Sequence, residues 1–305
     1  MDKSTTTDST KFSPGYGDFA LLCSDGVICH FPRYLLGHMS GLFKDMFDLP
    51  NSSAQSASPL ALTEPSGTIE LLLQHIDPKT PVPDIDTSNI IDLLEVAQKY
   101  QVPTINAWFE NEIQLKKELR HRAMQSNRPV VNPLLQVNPL LVLYCALRFN
   151  LPTSGRLALA EFARCKSSLL ASTNYPVPIH AYLHGARLRE ERVVHFRGIV
   201  AQLTRRQMVG THSEEIYGAF DFFTIPDARK TCSDCADRRA IWAFEVESTI
   251  LKEPNWASFL ASYEKNTGAC TSCKTGSWNE YYRSLLAWWE TKTRALEINL
   301  PEWLF

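Results

Sequence analysis

The sequence predicts an α+β N-terminal domain followed by an all-α C-terminal region. Two apolar runs of strand length, Phe19–Cys23 and Val27–Phe31, enclose Ser24-Asp25-Gly26, and apolar residues then recur at three- and four-residue spacing. A β-hairpin followed by helices explains this change of period. A polar, proline-containing stretch at residues 125–133 then marks a boundary. We expect a disordered tail (1–14), the α+β domain (15–120), a linker (121–133) and a helical domain with paired cysteines (134–305).

The hairpin and the first two helices follow from local signals. The Asp-Gly pair tolerates the positive φ angle that a tight turn requires. Ser40 interrupts the apolar series as a helix N-cap, which predicts two short helices in this segment. The apolar positions of the pair are Leu35, Leu36, Met39, Leu42, Phe43, Met46 and Phe47.

The rest of the first domain continues as a loop at 51–58, a short strand at Leu60–Leu62 and three helices. Ser66 is expected to cap a helix that runs through His75, and Thr87 to cap the next helix. Prolines exclude a helix at residues 79–84, whereas Pro103 is suited to the first turn of the last helix. The residues expected to point inward are Ile90, Ile91, Leu94, Val96, Ala97, Ile105, Trp108, Phe109 and Ile113.

Two groups of residues in these helices carry a family pattern, together with the order of the elements from Gly17 to Ile113. The first group is Leu36, Ser40, Phe43, Met46 and Phe47, and the second is Leu93, Leu94, Ala97, Tyr100, Gln101 and Val102. In these positions the chain resembles a BTB/POZ domain. The resemblance covers roughly a third of the chain and implies a domain that joins proteins to one another.

The resemblance also implies a self-association surface. In the family, an acidic residue before the first strand and a basic residue at the start of the following helix form a charged pocket at the dimer interface. Asp18 and Arg33 occupy these places here, although an ordinary surface ion pair is the alternative interpretation. The family usually has a histidine directly before the basic residue, and this chain has Pro32, which lacks a donor.

The family further implies a role as an adaptor between a protein substrate and a cullin-type ubiquitin ligase. Its cullin-facing surface lies near the helix that here contains Ser40 to Phe47, so Lys44 and Asp45 are the candidate contact residues.

Composition limits the other function classes. The formal charge of -2 gives no overall attraction to nucleic acid or to an anionic membrane. The first ten residues lack the apolar core of a signal peptide, and eight cysteines in 305 residues are too few for a disulfide scaffold. We therefore expect an intracellular protein of the cytoplasm or nucleus, with no membrane partner and no disulfides.

The region after residue 133 predicts packed helices around Leu140–Leu147 and Leu157–Ala163, with Cys145 and Cys165 as core thiols. Its pattern is similar to helical regions that follow BTB domains in many fungal proteins. The sharper chemical feature is two C-x-x-C pairs, Cys232 with Cys235 and Cys270 with Cys273.

Four thiolates could hold a structural Zn²⁺ tetrahedrally, and we expect zinc as the cofactor. The separation by residues 236–269 exceeds the roughly 15–20 residues of the standard spacing, so unligated thiols and a redox dithiol stay open. The intervening residues would form a helix whose apolar face contains Ile241, Trp242, Phe244, Val246, Ile250 and Leu251.

Three other patterns in this region favour structural roles. His180 and His184 share a helix face, but no H-E-x-x-H motif accompanies them. The basic stretch from Arg187 to Arg206 has the apolar period of a packed helix and is interpreted as a solvated face, with a phosphate-binding face as the alternative. The late tryptophans are assigned to a core in preference to a peptide groove; they are Trp242, Trp256, Trp278, Trp288, Trp289 and Trp303.

The function that these observations favour is protein–protein interaction and homodimerisation. Nucleotide-binding loops and a nucleophile elbow are missing from the sequence, so we expect no enzymatic activity and no catalytic residues. Two alternatives stay open: a nuclear transcriptional regulator that binds DNA through the cysteine region, and a zinc-dependent enzyme.

Overall fold

A computed structural model describes residues 6–49, 58–83, 87–126, 134–171, 175–204, 233–267 and 286–293. The chain divides into two compact units. The first contains the described residues up to Val137 together with Leu141–Gly155, and the second contains Asn138–Leu140 and the described residues from Arg156 onward. Each described helix is too short or too polar to cross a membrane.

The first unit is built on a small sheet whose centre is the predicted hairpin. Strands β2 (Phe19–Leu22) and β3 (Val27–Phe31) are antiparallel, with Phe19 opposite Phe31. Gly26 has a φ angle of 81°, as the Asp-Gly turn predicted. Strands β1 (Thr7–Asp8) and β4 (Leu60–Ala61) pair in parallel with β3 and β2 respectively, giving the order β1-β3-β2-β4.

Helices follow the hairpin in the predicted order. They are α1 (Arg33–Met39), α2 (Gly41–Asp48), α3 (Ser66–Ile76), α4 (Ile90–Lys99), α5 (Pro103–Ser126), α6 (Leu134–Val137), α7 (Pro139–Phe149) and α8 (Pro152–Arg164). The Ser40 cap between α1 and α2 is confirmed, because the Phe43 N–H donates to the Ser40 hydroxyl at 3.2 Å.

The core of the first unit joins the sheet to these helices. Its buried side chains include Leu21, Phe31, Leu36, Phe43, Leu72, Leu94, Ile105, Phe109 and Ile113. Most of the expected inward positions are buried, whereas Ile91 and Trp108 are only half-buried. The apolar surface removed from water by these residues is what drives the unit to fold.

Two predicted helix caps are wrong. Ser66 is the first residue of α3 and follows Pro65 at the N-cap position, and Asn89, not Thr87, directly precedes α4. A serine one position inside the helix does not cap it. The acceptor for the first N–H of α3 is the Asp25 carboxylate.

The prediction of a disordered tail is wrong for residues 6–14, the part of it that the structure describes. Thr7–Asp8 forms β1, and the Phe12 side chain is 1% exposed within the core. The rings of Tyr16 and Phe31 surround it, and the Tyr16 hydroxyl donates a hydrogen bond to Asp77. This segment is part of the domain because a single aromatic residue anchors an otherwise polar sequence.

The second unit is helical. Besides the later part of α8 it contains α9 (Ser167–Ala171), α10 (Ile179–Thr204), α11 (Ser233–Lys252), α12 (Trp256–Thr267) and a helix at residues 286–293. One buried cluster joins α10, α11 and α12: Val193, Phe196, Ile199, Leu203, Trp242, Val246, Ile250 and Phe259.

The apolar face predicted between the cysteine pairs is only half correct. Trp242, Val246 and Ile250 enter the buried cluster. Ile241 is 59% exposed and Phe244 is 87% exposed, so they lie away from it. The assignment of tryptophans to a core holds for Trp242, while Trp278 and Trp303 lie outside the described residues.

Candidate interaction surface

The predicted pair of Asp18 and Arg33 is in contact, but through the backbone. The Asp18 carboxylate accepts a hydrogen bond of 2.8 Å from the Arg33 N–H, which is the first N–H of α1. The residue before α1 is Pro32, whose side chain offers no acceptor. The Arg33 guanidinium instead lies 4.4 Å from the centre of the Phe47 ring, in a cation–π contact. Asp18 therefore positions α1, and Arg33 presents a half-buried cation beside α2.

Lys44 and Asp45 are both exposed on α2, as the resemblance required of contact residues. Leu42 on the same helix is 39% exposed, and Leu49 directly after it is 60% exposed. The outward face of α2 thus presents charged side chains next to exposed apolar ones.

A cleft of about 480 Å³ opens where the turn between α1 and α2 meets the turn between α4 and α5. Its lining has no Asp, Glu, Lys or Arg and consists of His38, Met39, Gly41, Ala97, Gln98, Gln101, Val102, Pro103 and Asn106. The Gly41 N–H donates to the Gln101 carbonyl at 3.1 Å and joins the two turns. No sequence pattern pointed to this cleft, because its walls come from residues that are about 60 positions apart.

At three helix starts in the first unit, a backbone N–H donates to the carboxylate of a residue that is distant in sequence. Besides Asp18 at α1, Asp25 accepts from the Ser66 N–H at 3.0 Å and the Ser66 hydroxyl at 2.6 Å. Glu110 accepts from the Thr153 N–H at 2.9 Å, at the start of α8. The hydrogen bonds from Ser66 lower the pKa of the Asp25 carboxyl, against a smaller opposing effect of desolvation. Each carboxylate satisfies N–H groups at a helix start and faces the positive end of the helix dipole.

The buried thiols are structural. Cys145 and Cys165 are buried as predicted, and desolvation raises the pKa of each thiol to about 12. Cys23 and Cys29 are likewise buried in the hairpin region as free thiols. Cys145 and Cys165 are therefore protonated and inert at neutral pH, whereas the hydrogen bond with Cys23 lowers the pKa of the Cys29 thiol.

The predicted zinc ligands are not placed by the structure. Cys232, Cys270 and Cys273 lie outside the described residues, and Cys235 lies in the first turn of α11 without a described side chain. Among the described side chains, no three His, Cys, Asp or Glu residues converge to hold a metal ion. His180 and His184 likewise belong to no group of three potential ligands among the described side chains.

The basic stretch of α10 mostly contacts the protein itself. Arg189 donates to the carbonyls of Cys165, Leu251 and Lys252 at 2.6, 3.0 and 2.8 Å, the last two at the end of α11. Arg192 is buried and donates to the Pro254 carbonyl at 2.9 Å. These two cations are therefore engaged in packing and carbonyl capping, and the interpretation as a solvated face is too simple for them. Arg205 and Arg206 lie outside the described residues.

The small sheet, the helices packed on it and the exposed face of α2 define the first unit as an α+β interaction domain. Residues 10–117 match the family model of the BTB/POZ domain, so this part of the chain is a BTB/POZ domain, a protein–protein interaction module. A region that is mostly helical follows it. Neither the curated proteins nor the solved structures that were compared gave a match.

Proposed function

We propose that the protein is a homodimeric adaptor whose BTB domain binds a second copy of the chain. The observation that supports this is the half-buried Arg33 guanidinium over the Phe47 ring, in a residue whose backbone N–H donates to the exposed carboxylate of Asp18. In a dimer, a carboxylate of the second copy would approach this cation, and both groups would lose contact with water. Such a buried ion pair contributes more to binding than an exposed one.

Arg33 is the better residue for testing the dimer. Replacement of Asp18 would also uncap α1, whereas Arg33→Glu leaves the backbone N–H in place. Native mass spectrometry of the full chain is expected to give a dimer, and Arg33→Glu a monomer. Lys79→Glu, an exposed charge reversal in the same unit, is the matched control and is expected to remain dimeric. A wild-type monomer, or a dimer unaffected by Arg33→Glu, would contradict the proposal.

We further propose that the face of α2 binds a cullin scaffold, with the helical second unit presenting an unidentified protein substrate. The support is the exposure of Lys44 and Asp45 beside the apolar Leu42 and Leu49. A cullin should be retained by the immobilised wild-type chain and lost after Lys44→Ala with Asp45→Ala. The control pair Lys79→Ala with Asp92→Ala changes exposed charges elsewhere in the unit and should retain the cullin. Retention by the α2 variant would argue against this surface.

The two C-x-x-C pairs are proposed to hold one structural zinc per chain, in a protein that works in the cytoplasm or nucleus. Four thiolates leave the ion no open position, so its contribution would be to stability, not catalysis. The same native mass spectrum reports metal content: one zinc per chain supports the site, and Cys270→Ser should release it. A chain that carries no zinc after purification in zinc-containing buffer would contradict the site.

A further inference from the structure

Arg189 on α10 is a half-buried cation whose hydrogen bonds go to neutral oxygens. Its guanidinium donates to the carbonyls of Cys165, Leu251 and Lys252 and, at 2.8 Å, to the Ser167 hydroxyl. Desolvation by burial lowers the pKa of Arg189, because it opposes the charged form. None of these four oxygens supplies the negative charge that a desolvated cation favours, so an anion at this position would stabilise it.

Ser167 is the exposed residue beside this guanidinium, and it is the first residue of α9. Its hydroxyl lies 3.2 Å from the Leu251 carbonyl and 3.2 Å from the Lys252 carbonyl, and it donates to these two groups at the end of α11. One accessible hydroxyl therefore contacts both the cation and the last carbonyls of a helix of 20 residues.

The sequence before this serine is basic. Arg164 stands three positions before Ser167, and the exposed Lys166 directly before it. Protein kinases choose among serines partly by such charge patterns. The chain leaves α8 at Arg164 and then enters a helix of five residues, so extension of this segment in the cleft of a kinase disrupts little regular structure.

We propose that Ser167 is a phosphorylation site of the second unit and that Arg189 binds the phosphate. A protein kinase transfers the γ-phosphoryl group of ATP to the Ser167 oxygen. The new oxygen–phosphorus bond forms, the bond to ADP breaks, and the hydroxyl proton passes to the base of the kinase. The phosphate carries a charge of about −1.5 to −2 at pH 7 and gives the half-buried guanidinium an anionic partner.

Phosphorylation also changes the end of α11. The modified oxygen no longer donates to the Leu251 and Lys252 carbonyls, and the negative end of the helix repels the phosphate. The phosphate therefore turns toward Arg189 and draws the guanidinium with it, which removes donors from the last carbonyls of α11. The last turn of α11 becomes weaker. This regulation goes beyond the proposed adaptor function, since neither the dimer surface nor the cullin surface enters it.

The first test replaces the serine by phosphoserine during synthesis of the full chain. Ser168→phosphoserine, at the adjacent exposed serine, is the matched control for Ser167→phosphoserine. The second pKa of each phosphate, which is ordinarily about 6, is measured by ³¹P NMR. The cation of Arg189 should make this pKa about 0.5–1 lower at position 167 than at position 168. Arg189→Gln should remove the difference, whereas Arg189→Lys, which keeps a cation, should retain part of it.

Hydrogen exchange measures the effect on α11. The Glu253 N–H donates to the Thr249 carbonyl at 2.8 Å, at the end of this helix. Exchange of this N–H should be at least about fivefold faster in Ser167→phosphoserine than in Ser168→phosphoserine, because a weakened turn opens more often. Treatment with a phosphatase should return both chains to the same rate.

The transfer step is tested on the unmodified full chain with MgATP and a Ca²⁺/calmodulin-dependent protein kinase, which selects serine three residues after arginine. Tandem mass spectrometry should locate the phosphate on Ser167, and Arg164→Gln should slow the transfer at least about tenfold. Ser167→Ala should leave this peptide unmodified.

Absence of transfer to Ser167, or equal phosphate pKa values at positions 167 and 168, would overturn the proposal. Equal exchange rates of the Glu253 N–H would overturn the effect on α11. If Arg189→Gln does not fold, the comparison of the two positions in the chain with Arg189 decides. The outcome is independent of the dimer and cullin experiments, since it is measured on groups of the second unit.

Discussion

Removal of the Asp25 carboxylate tests whether distant acidic residues hold the helix starts of the BTB domain. In Asp25→Ala, the Ser66 N–H and hydroxyl lose their acceptor at the start of α3. Loss of an N-cap acceptor costs about 0.5–2 kcal/mol, and the lower half applies because Asp25 is exposed and water screens its charge. For a unit of this size, about 0.5–1 kcal/mol lowers the melting temperature by about 1–4 °C. Circular dichroism at the helix band during heating measures it.

The loss of stability in Asp25→Ala should depend on pH. The pKa of Asp25 is lower in the folded chain than its ordinary value, so its stabilisation is complete above the unfolded pKa of about 4 and disappears as the pH falls through the folded pKa. The difference between wild type and Asp25→Ala should therefore be largest near about pH 7 and shrink below about pH 4. Asp25→Asn keeps a neutral acceptor and should lose roughly half as much. Asp48→Ala, which removes an exposed carboxylate from the last turn of α2, should be neutral or slightly stabilising. An Asp25→Ala chain that melts with the wild type, or a loss that persists undiminished in acid, would refute the reasoning.

Three further predictions concern packing and backbone contacts. Trp242→Ala should destabilise the second unit by about 3–5 kcal/mol in urea unfolding, whereas Phe244→Ala, 87% exposed, should stay within about 0.5 kcal/mol; equal losses would contradict the assigned face. Arg189→Leu removes the contacts with backbone carbonyls and should lower the free energy of unfolding by about 2–3 kcal/mol in the same assay, with Arg189→Lys intermediate. An unchanged free energy of unfolding in Arg189→Leu would show that these contacts do not stabilise the unit. Gly17→Ala places a Cβ 2.0 Å from the Phe31 carbonyl carbon, so a dispersed NMR spectrum at wild-type stability would be inconsistent with the fold.

Signals that act over a few residues were readable from the sequence. Ser40 caps the helix that begins one residue later, and Gly26 allows the turn beside it, so both were predicted correctly. Asp25 was recognised only as a turn residue, because its acceptor role reaches Ser66 across 41 positions. A cap of this kind has no periodicity or spacing that a single sequence reveals. Asp18 was predicted as a partner of Arg33, but not that the backbone N–H would be the donor.

The sequence alone also does not determine which face of a helix is buried. Ile241, Trp242 and Phe244 are all apolar, so the helical period of α11 is satisfied by either of two faces. The packing against α10 selects the face of Trp242, and that choice is tertiary. Phe12 shows the same limit in the opposite sense, since a polar neighbourhood concealed an aromatic residue that completes the core.

The boundary of the BTB match differs from the boundary of the unit that folds around it. The match ends at residue 117, but Leu141–Gly155 belongs to the same compact unit. Two polar contacts tie this segment to the domain: Arg148 with Glu95 at 2.8 Å, and the Thr153 N–H with Glu110 at 2.9 Å. Because Glu95 and Glu110 lie on α4 and α5, the helices next to the cleft depend on residues beyond the family match. The interaction module should therefore be studied with the chain up to Gly155 attached, since loss of this segment would remove both contacts from α4 and α5.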